Sequence, residues 1–175
     1  MDGDTAERLR RIADYEAAVR PNLLTRFLVG VGRTRGFSYV YRYVGPRLDP
    51  YLARVTRGQL SRVYGLPGLL LRTTGARSGQ TRTSPLLYLR DGDDFVVAGT
   101  NFGQLTHPGW TANLLAHPKA TVQVGRERVG VCAELVDRET WDRLWPRFVA
   151  IYPGYADYLE RCGGRQPRMF RLRPA

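Results

Sequence analysis

From Leu66 onward, apolar residues come in short β-prone runs separated by turn signals. Leu69, Leu70 and Leu71 lead into Thr73 and Thr74, and Leu86, Leu87, Tyr88 and Leu89 form a second run. The pattern predicts strands over 68–74, 84–90, 95–99, 120–124, 128–136 and 168–172. Asp91-Gly92-Asp93 reads as a hairpin turn, and Gly125-Arg126 as another. Helical periodicity is confined to a few places. Residues 4–19 carry Ala6, Leu9, Ile12, Ala13 and Ala17 on one face, with Asp4 as a cap and Glu7 three residues on. A short helix follows Trp110 and ends near His117-Pro118. After Asp137, Trp141, Leu144, Trp145, Phe148 and Val149 recur at i, i+3, i+4, i+7 and i+8, with Pro146 predicting a kink or two abutting helices. Pro153 opens a last turn or helix carrying Tyr155 and Tyr158. Short antiparallel strands with few helices point to an α+β, mainly β, small barrel rather than a doubly wound sheet.

The first third has a different texture. Pro21 ends the first helix, and Asn22 can cap a second with Leu23, Leu24, Phe27, Leu28 and Val31 inward. Arg20, Arg26, Arg33, Arg35, Arg42, Arg47, Arg54, Arg57 and Arg62 are opposed only by Asp49, and Phe37, Tyr39, Tyr41, Tyr43 and Tyr51 lie between them. Three readings stay open for this stretch: a basic arm packed on the domain, a membrane-surface face, or a nucleic-acid stacking surface. Asp49-Pro50 reads as a cap and first helical position, with Gly58 as a stop. The chain therefore divides into an N-terminal helical, Arg/Tyr-rich arm over 1–65 and a barrel over 66–175, forming one globular unit.

Composition sharpens this. A chain of 175 residues, 43% hydrophobic, can bury the core of one ordinary domain. Lys and Arg number 27 against 16 Asp and Glu, a net charge of +11, and Lys119 is the only lysine. That field favours acidic ligands, anionic lipid or nucleic acid; a basic protein with no acidic partner remains the alternative. Cys132 and Cys162 belong to no metal or redox spacing, so two structural thiols in a reduced, cytoplasmic compartment are expected. The first residues are acidic and helical, unlike a secretory leader, and the apolar run 27–32 is far too short to span a bilayer.

The candidate chemistry sits in the turn between the first two barrel strands, Gly75-Ala76-Arg77-Ser78-Gly79-Gln80-Thr81-Arg82. Gly75 and Gly79 can take positive φ, which lets successive backbone N–H groups face one concavity. Arg77 and Arg82 add planar forks suited to phosphate and carboxylate, and Ser78 and Thr81 add hydroxyls. An anion-binding rim and an ordinary exposed hairpin are both consistent with this composition. The turn is neither a Walker A nor a GxGxxG, and no helix pattern follows it. There is no HExxH, Cys/His cluster, GxSxG elbow or clear carboxylate pair, so no metal centre, acyl-transfer nucleophile or glycosidase pair is expected. His107 and His117 each precede a proline and read as helix-end residues. What remains suits a protein that binds an anionic cofactor and leaves the hard chemistry to it.

These residues form a recognisable set. Leu71-Arg72-Thr73-Thr74-Gly75-Ala76-Arg77-Ser78-Gly79-Gln80-Thr81-Arg82 with Pro85-Leu86 and Tyr88-Leu89, then His107-Pro108, Trp110, Asn113-Leu114 and His117-Pro118, then Trp145-Pro146 and Tyr152-Pro153-Gly154-Tyr155 with Tyr158, resemble the deazaflavin-dependent nitroreductase and quinone reductase family. The resemblance runs from about Leu66 to the C-terminus. It implies a split β-barrel of the flavin-reductase type and coenzyme F-420, an 8-hydroxy-5-deazaflavin bearing a phosphate and an oligoglutamate tail. It implies that Arg77, Ser78, Gln80 and Arg82 hold phosphate and tail carboxylates, with Pro85 beside them. Thr100, Asn101 and Gly103 would line the ring or its side chain, and Trp110 and Asn113 would belong to the cofactor pocket. For Trp110, a core position at the start of the helix is the other open reading. Tyr88, Tyr152, Tyr155 and Tyr158 would border the acceptor, with Tyr155 or Tyr152 bonding its oxygen; the residues alone equally suit an amphipathic helix with tyrosine hydroxyls in water.

The implied reaction is hydride transfer from reduced F-420 to an electron-poor acceptor such as a quinone or a nitroaromatic. FMN or FAD in the same barrel is the alternative, as is a non-enzymatic domain that binds nucleic acid or a membrane surface. Peripheral contact with an anionic membrane and a monomeric or homodimeric state complete the expectation, and no specific nucleic acid is expected. Four departures from the family pattern bear on substrate and anion binding: Ala76 replaces a basic residue, Thr100 a serine, Leu87 a pocket-side tyrosine, and Gly109 a bulkier apolar residue.

Overall fold

The computed structural model describes residues 3–20 and 65–175. Six strands, β1 (Gly68–Thr74), β2 (Thr81–Asp91), β3 (Asp94–Gly99), β4 (Lys119–Val124), β5 (Glu127–Leu135) and β6 (Arg168–Pro174), close a barrel in the order β1-β2-β3-β6-β5-β4. Every neighbouring pair is antiparallel. Four helices accompany it among the described residues: α1 (Gly3–Ala17), α2 (Gly109–Ala116), α3 (Arg138–Ile151) and α4 (Gly154–Arg161). The expected small antiparallel barrel is thus what forms. The hairpin turns at Gly92 and Gly125 both take positive φ.

Period-two alternation sorts the apolar side chains into two clusters. The inner one holds Leu69, Leu71, Tyr88, Phe95, Val97, Val122 and Phe170, joined by Leu9 and Ile12 of α1 and Trp110 and Leu114 of α2. The outer one holds Leu89, Val96, Ala98 and Met169 against Trp141, Leu144, Trp145 and Phe148 of α3 and the tyrosines around α4. A strand of the barrel is therefore apolar on both faces, as β3 is from Phe95 to Ala98.

β2 starts at Thr81, three residues earlier than expected, and residues 81–87 pair with β1 alone, since β3 joins only from Tyr88. Pro85 sits in this one-sided stretch, opposite Leu70, where a missing N–H removes no ladder bond on an unpaired edge. Three expectations need correcting. α1 buries Thr5, Leu9 and Ile12, while Ala6, Ala13 and Ala17 are exposed, and Asp4 lies inside the helix, paired with Arg8, rather than capping it. α3 runs unbroken through Pro146, which lies on its exposed side, where the unbonded Asp142 carbonyl is open to water. Gly75 is not left-handed; a Cβ there would meet Ser78 Oγ at 2.7 Å and the Gln80 carbonyl at 3.1 Å. The helix expected over 22–31, the Asp49-Pro50 cap, the Gly58 stop and the Arg/Tyr-rich stretch lie outside the described residues.

Candidate cofactor and acceptor site

Three structures meet around α2 and α4. The first is the β1–β2 turn. Gly75 N–H donates to the Gln80 carbonyl (2.9 Å) and Gly79 N–H to the Gly75 carbonyl (2.8 Å), closing the turn, and Gly79 takes φ 64°. Asn113 of α2 fixes it from the side. Its Oδ1 accepts from Ala76 N–H (2.9 Å) and its Nδ2 donates to Thr73 Oγ1 (3.0 Å). Arg77, Ser78, Gln80 and Arg82 are all exposed on this pinned turn. Among the described residues neither Arg77 nor Arg82 has a carboxylate partner; Arg82 Nη2 donates to Gln80 Oε1 (3.3 Å). Asp91, by contrast, draws three guanidinium groups, those of Arg143, Arg147 and Arg171.

The second is the loop after β3. Asn101, Phe102 and Gly103 are consecutively left-handed, with φ of 51°, 54° and 76°. Two of the three are not glycine, a strained arrangement that something must hold. Asn101 Nδ2 donates to the Thr106 carbonyl (2.9 Å). Arg165, between α4 and β6, does the rest. Its Nη1 donates to the Gly99 carbonyl (3.2 Å) and to His107 Nδ1 (3.0 Å). Its Nη2 donates to the carbonyls of Thr100 (2.8 Å) and Gln104 (2.9 Å), and its Nε to Gln104 again (3.2 Å). A guanidinium has no acceptor, so His107 Nδ1 accepts and the imidazole proton is on Nε2. Burial, then the charges of Arg168 and Arg165, hold the His107 pKa below its ordinary value.

The third is the aromatic group on α4 and the link before it. Tyr152 and Tyr158 share a hydrogen bond between hydroxyls (3.1 Å). Tyr155 stands edge-on to Tyr152 (5.7 Å between ring centres) and to Trp145 (5.8 Å), and no hydrogen bond holds its hydroxyl among the described residues. Burial and the neighbouring Tyr152 raise its pKa, so the hydroxyl keeps its proton and stays able to donate. Gly154 is required here because a Cβ would run into the Tyr152 ring. The loop and the tyrosines touch: Phe102 packs edge-on against Tyr158 (5.8 Å), and Gly103 abuts the Tyr158 backbone, where a Cβ would come within 3.1 Å.

Residues 47–167 match the model of a family described as F-420H(2)-dependent quinone reductase. The chain belongs to this family. An F-420H(2)-dependent quinone reductase of Mycobacterium tuberculosis H37Rv is 40% identical over 114 residues, which cover 61% of this chain and 76% of that protein. Among solved structures, an F-420-H2 dependent reductase is 30% identical with a TM-score of 0.55, covering 61% of this chain and 93% of its own. A second, described as a domain-swapped dimer, is 28% identical with a TM-score of 0.57, covering 71% of this chain and 94% of its own.

In this member of the quinone reductase family the structure gathers Arg77, Ser78, Gln80, Arg82 and Asn113 on one side of α2. It brings the Thr100–Gly103 loop against Tyr158, which packs with Tyr152 and Tyr155. Tyr152, Tyr155 and Tyr158 are themselves buried in the outer cluster, whereas Tyr88 and Trp110 belong to the inner one and do not join them. Tyr88 is 1% exposed in the barrel interior, tilted against Phe95, and its hydroxyl donates to Glu16 of α1. Its neighbours Leu87 and Leu89 pack instead in the outer cluster that holds the α4 tyrosines. Trp110 takes the core reading, edge-on to Phe170 (5.8 Å). Asn113 spends its amide on the protein, bracing the turn. Arg165 was not singled out, because it belongs to no local motif and the loop it holds lies some sixty residues away in sequence.

Proposed function

We propose that the chain is an F-420-dependent oxidoreductase that reduces a quinone-like acceptor, or a nitroaromatic, at the surface between the β1–β2 turn and the α4 tyrosines. The observation that carries this is the pinned, exposed turn whose Arg77 and Arg82 have no carboxylate among the described residues. Such a turn suits a ligand that brings its own anions, and the phosphate and glutamates of F-420 supply them. The donor set therefore fits the coenzyme. Arg77, Ser78, Gln80 and Arg82 would hold phosphate and tail, with Pro85 and Asn113 keeping the turn's shape. Thr100, Asn101 and Gly103 would border the ring.

Bound and reduced, F-420 supplies a hydride from its C5 carbon. The protein's part is orientation, exclusion of water and stabilisation of charge. Tyr155 Oη is placed to donate to the acceptor oxygen as negative charge grows there, an electrostatic role that needs no proton transfer. Tyr152 and Tyr158 fix the ring orientation of Tyr155 through their shared bond and edge contacts. Quinones dissolve in lipid, so the arginine- and tyrosine-rich arm over 1–65 is assigned to peripheral contact with the inner, anionic face of the cell membrane, the 66–175 barrel remaining in the cytoplasm. Either a monomer or a homodimer fits; the domain-swapped dimer of one relative supports the second.

The test is a titration of the purified protein with F-420, followed by intrinsic fluorescence, with FMN and FAD in parallel. Saturable binding of the deazaflavin alone, lost in the Arg77→Ala/Arg82→Ala double variant, is the expected result. Binding of flavin only would keep the fold and change the cofactor. Binding of none of the three would remove the assignment.

A further inference from the structure

Arg165 has five N–H groups, and all five are engaged with one loop: the carbonyls of Gly99, Thr100 and Gln104 (the last taken twice) and Nδ1 of His107. That loop contains the left-handed Asn101 and Phe102. Left-handed non-glycine residues are strained, so the turn relaxes unless held. The hold is geometric as well as ionic: a planar fork fixes several acceptors at set angles, which a lysine ammonium cannot. A ligand for Arg165 itself has no donor left to use.

We propose that Arg165 is a positioning residue for the deazaflavin: its guanidinium clamps the Gly99–His107 backbone so that the Asn101-Phe102-Gly103 turn keeps the shape the cofactor ring meets. This rests on the cofactor reading given above. His107 is the far jaw of the clamp. The charged groups facing it are Arg165 and Arg168, and it serves as acceptor only in the neutral form protonated at Nε2. Arg168 approaches from β6, where its Nη1 donates to Thr111 Oγ1 of α2 (3.4 Å).

The chain has two histidines, so His117→Gln leaves His107 as the only imidazole. In that background, ring nitrogen spectra of the protein without cofactor are expected to show a single Nε2–H tautomer at pH 7. Arg165→Lys is expected to give mixed tautomers with a higher ring pKa, a melting temperature within a few degrees of the parent, and an F-420 dissociation constant raised at least about tenfold. A second pair guards against Arg165→Lys failing to fold. His107→Leu removes the acceptor and is expected to weaken F-420 binding; His107→Asn, whose Oδ1 stands where Nδ1 stood, is expected to recover it. Unchanged F-420 affinity in Arg165→Lys, or equal affinities in the two His107 variants, overturns the proposal while the cofactor site stands. A parent His107 ring not held as Nε2–H overturns the clamp itself. Failure of the parent to bind F-420, with its ring spectrum as expected, removes the cofactor reading and this proposal with it.

Discussion

Tyr152, Tyr155 and Tyr158 lie three residues apart, yet their hydroxyls have different duties. Tyr152 and Tyr158 bond one another, while among the described residues no hydrogen bond holds the Tyr155 hydroxyl inside its aromatic wall. Removing each hydroxyl should therefore have opposite signatures. Tyr155→Phe deletes no intramolecular bond, so the melting temperature should stay within about a degree or two, the equivalent of the ±0.5 kcal/mol of a neutral change. Its kcat with a quinone should fall by about a hundredfold to a thousandfold, the range for loss of a single preorganised donor. Tyr152→Phe deletes the Tyr152–Tyr158 hydrogen bond and should cost about 1 kcal/mol of stability, measurable by urea unfolding, whatever it does to turnover. A Tyr155→Phe enzyme with unaltered kcat and KM would transfer the acceptor role elsewhere. Tyr88 shows how fine the residue scale is. Successive side chains of a β-strand point to opposite faces, so the tyrosine points into the barrel while Leu87 and Leu89 beside it pack in the outer cluster.

At the scale of elements, the site depends on how closely α4 lies on the left-handed turn. Gly103 has φ 76° and no room, with the Arg161 Cβ and the Tyr158 backbone about to touch any Cβ placed there. Gly79 has φ 64° and open space. Gly79→Ala should thus cost only the left-handed penalty, about 1 kcal/mol, whereas Gly103→Ala adds a backbone clash and should exceed about 2 kcal/mol; thermal unfolding of both variants compares them. A second tie joins α3 to the β2–β3 hairpin. Its hydrogen bonds from Arg143, and the charges of Arg143, Arg171 and Arg147, hold the Asp91 carboxyl down to about 2, below the ordinary 3.8. The native carboxylate stays charged where the unfolded one has taken up a proton. Its contribution is complete above about pH 4 and is lost as pH falls through about 2. Asp91→Asn should lower the melting temperature by a few degrees at pH 7, with the difference from the parent shrinking to nothing near pH 2. Strands and turns were legible in the sequence because alternation and Asp-Gly or Gly-Arg punctuation are local signals. The inward face of α1 was not, since alanines serve equally well inside or outside a helix and only Leu9 and Ile12 carried information. Gly75 was rightly singled out for the wrong cause, space rather than φ. Arg165 could not be read at all: its five bonds are a product of the closed barrel, which brings the segment before β6 back beside the end of β3.

Over the whole molecule the largest single feature is charge. The chain carries a net +11 on 175 residues, nearly all from arginine, and its most basic stretch is 20–62, where Asp49 alone opposes nine arginines. The helices described contain no stretch long and apolar enough to cross a membrane, so attachment of this chain to a lipid surface through them would have to be interfacial. Each basic side chain near an anionic bilayer adds about 1 kcal/mol, so about eight in simultaneous contact are needed for micromolar partition. The same attraction is short-ranged, with a screening length of about 10 Å at 0.1 M salt and about 3 Å at 1 M. The full-length protein should therefore co-sediment with phosphatidylserine-containing vesicles at low salt, release between about 0.1 and 0.5 M, and ignore phosphatidylcholine vesicles throughout. Neutralising part of this stretch, as Arg54→Gln/Arg57→Gln/Arg62→Gln, should shift the release to lower salt. Equal sedimentation with neutral vesicles would mean apolar insertion rather than electrostatic contact, and no sedimentation at low salt would return the arm to a packing role. An acceptor reduced faster when presented in anionic than in neutral vesicles would then connect the charge of the arm to the chemistry of the tyrosines, joining the two ends of the chain in one function.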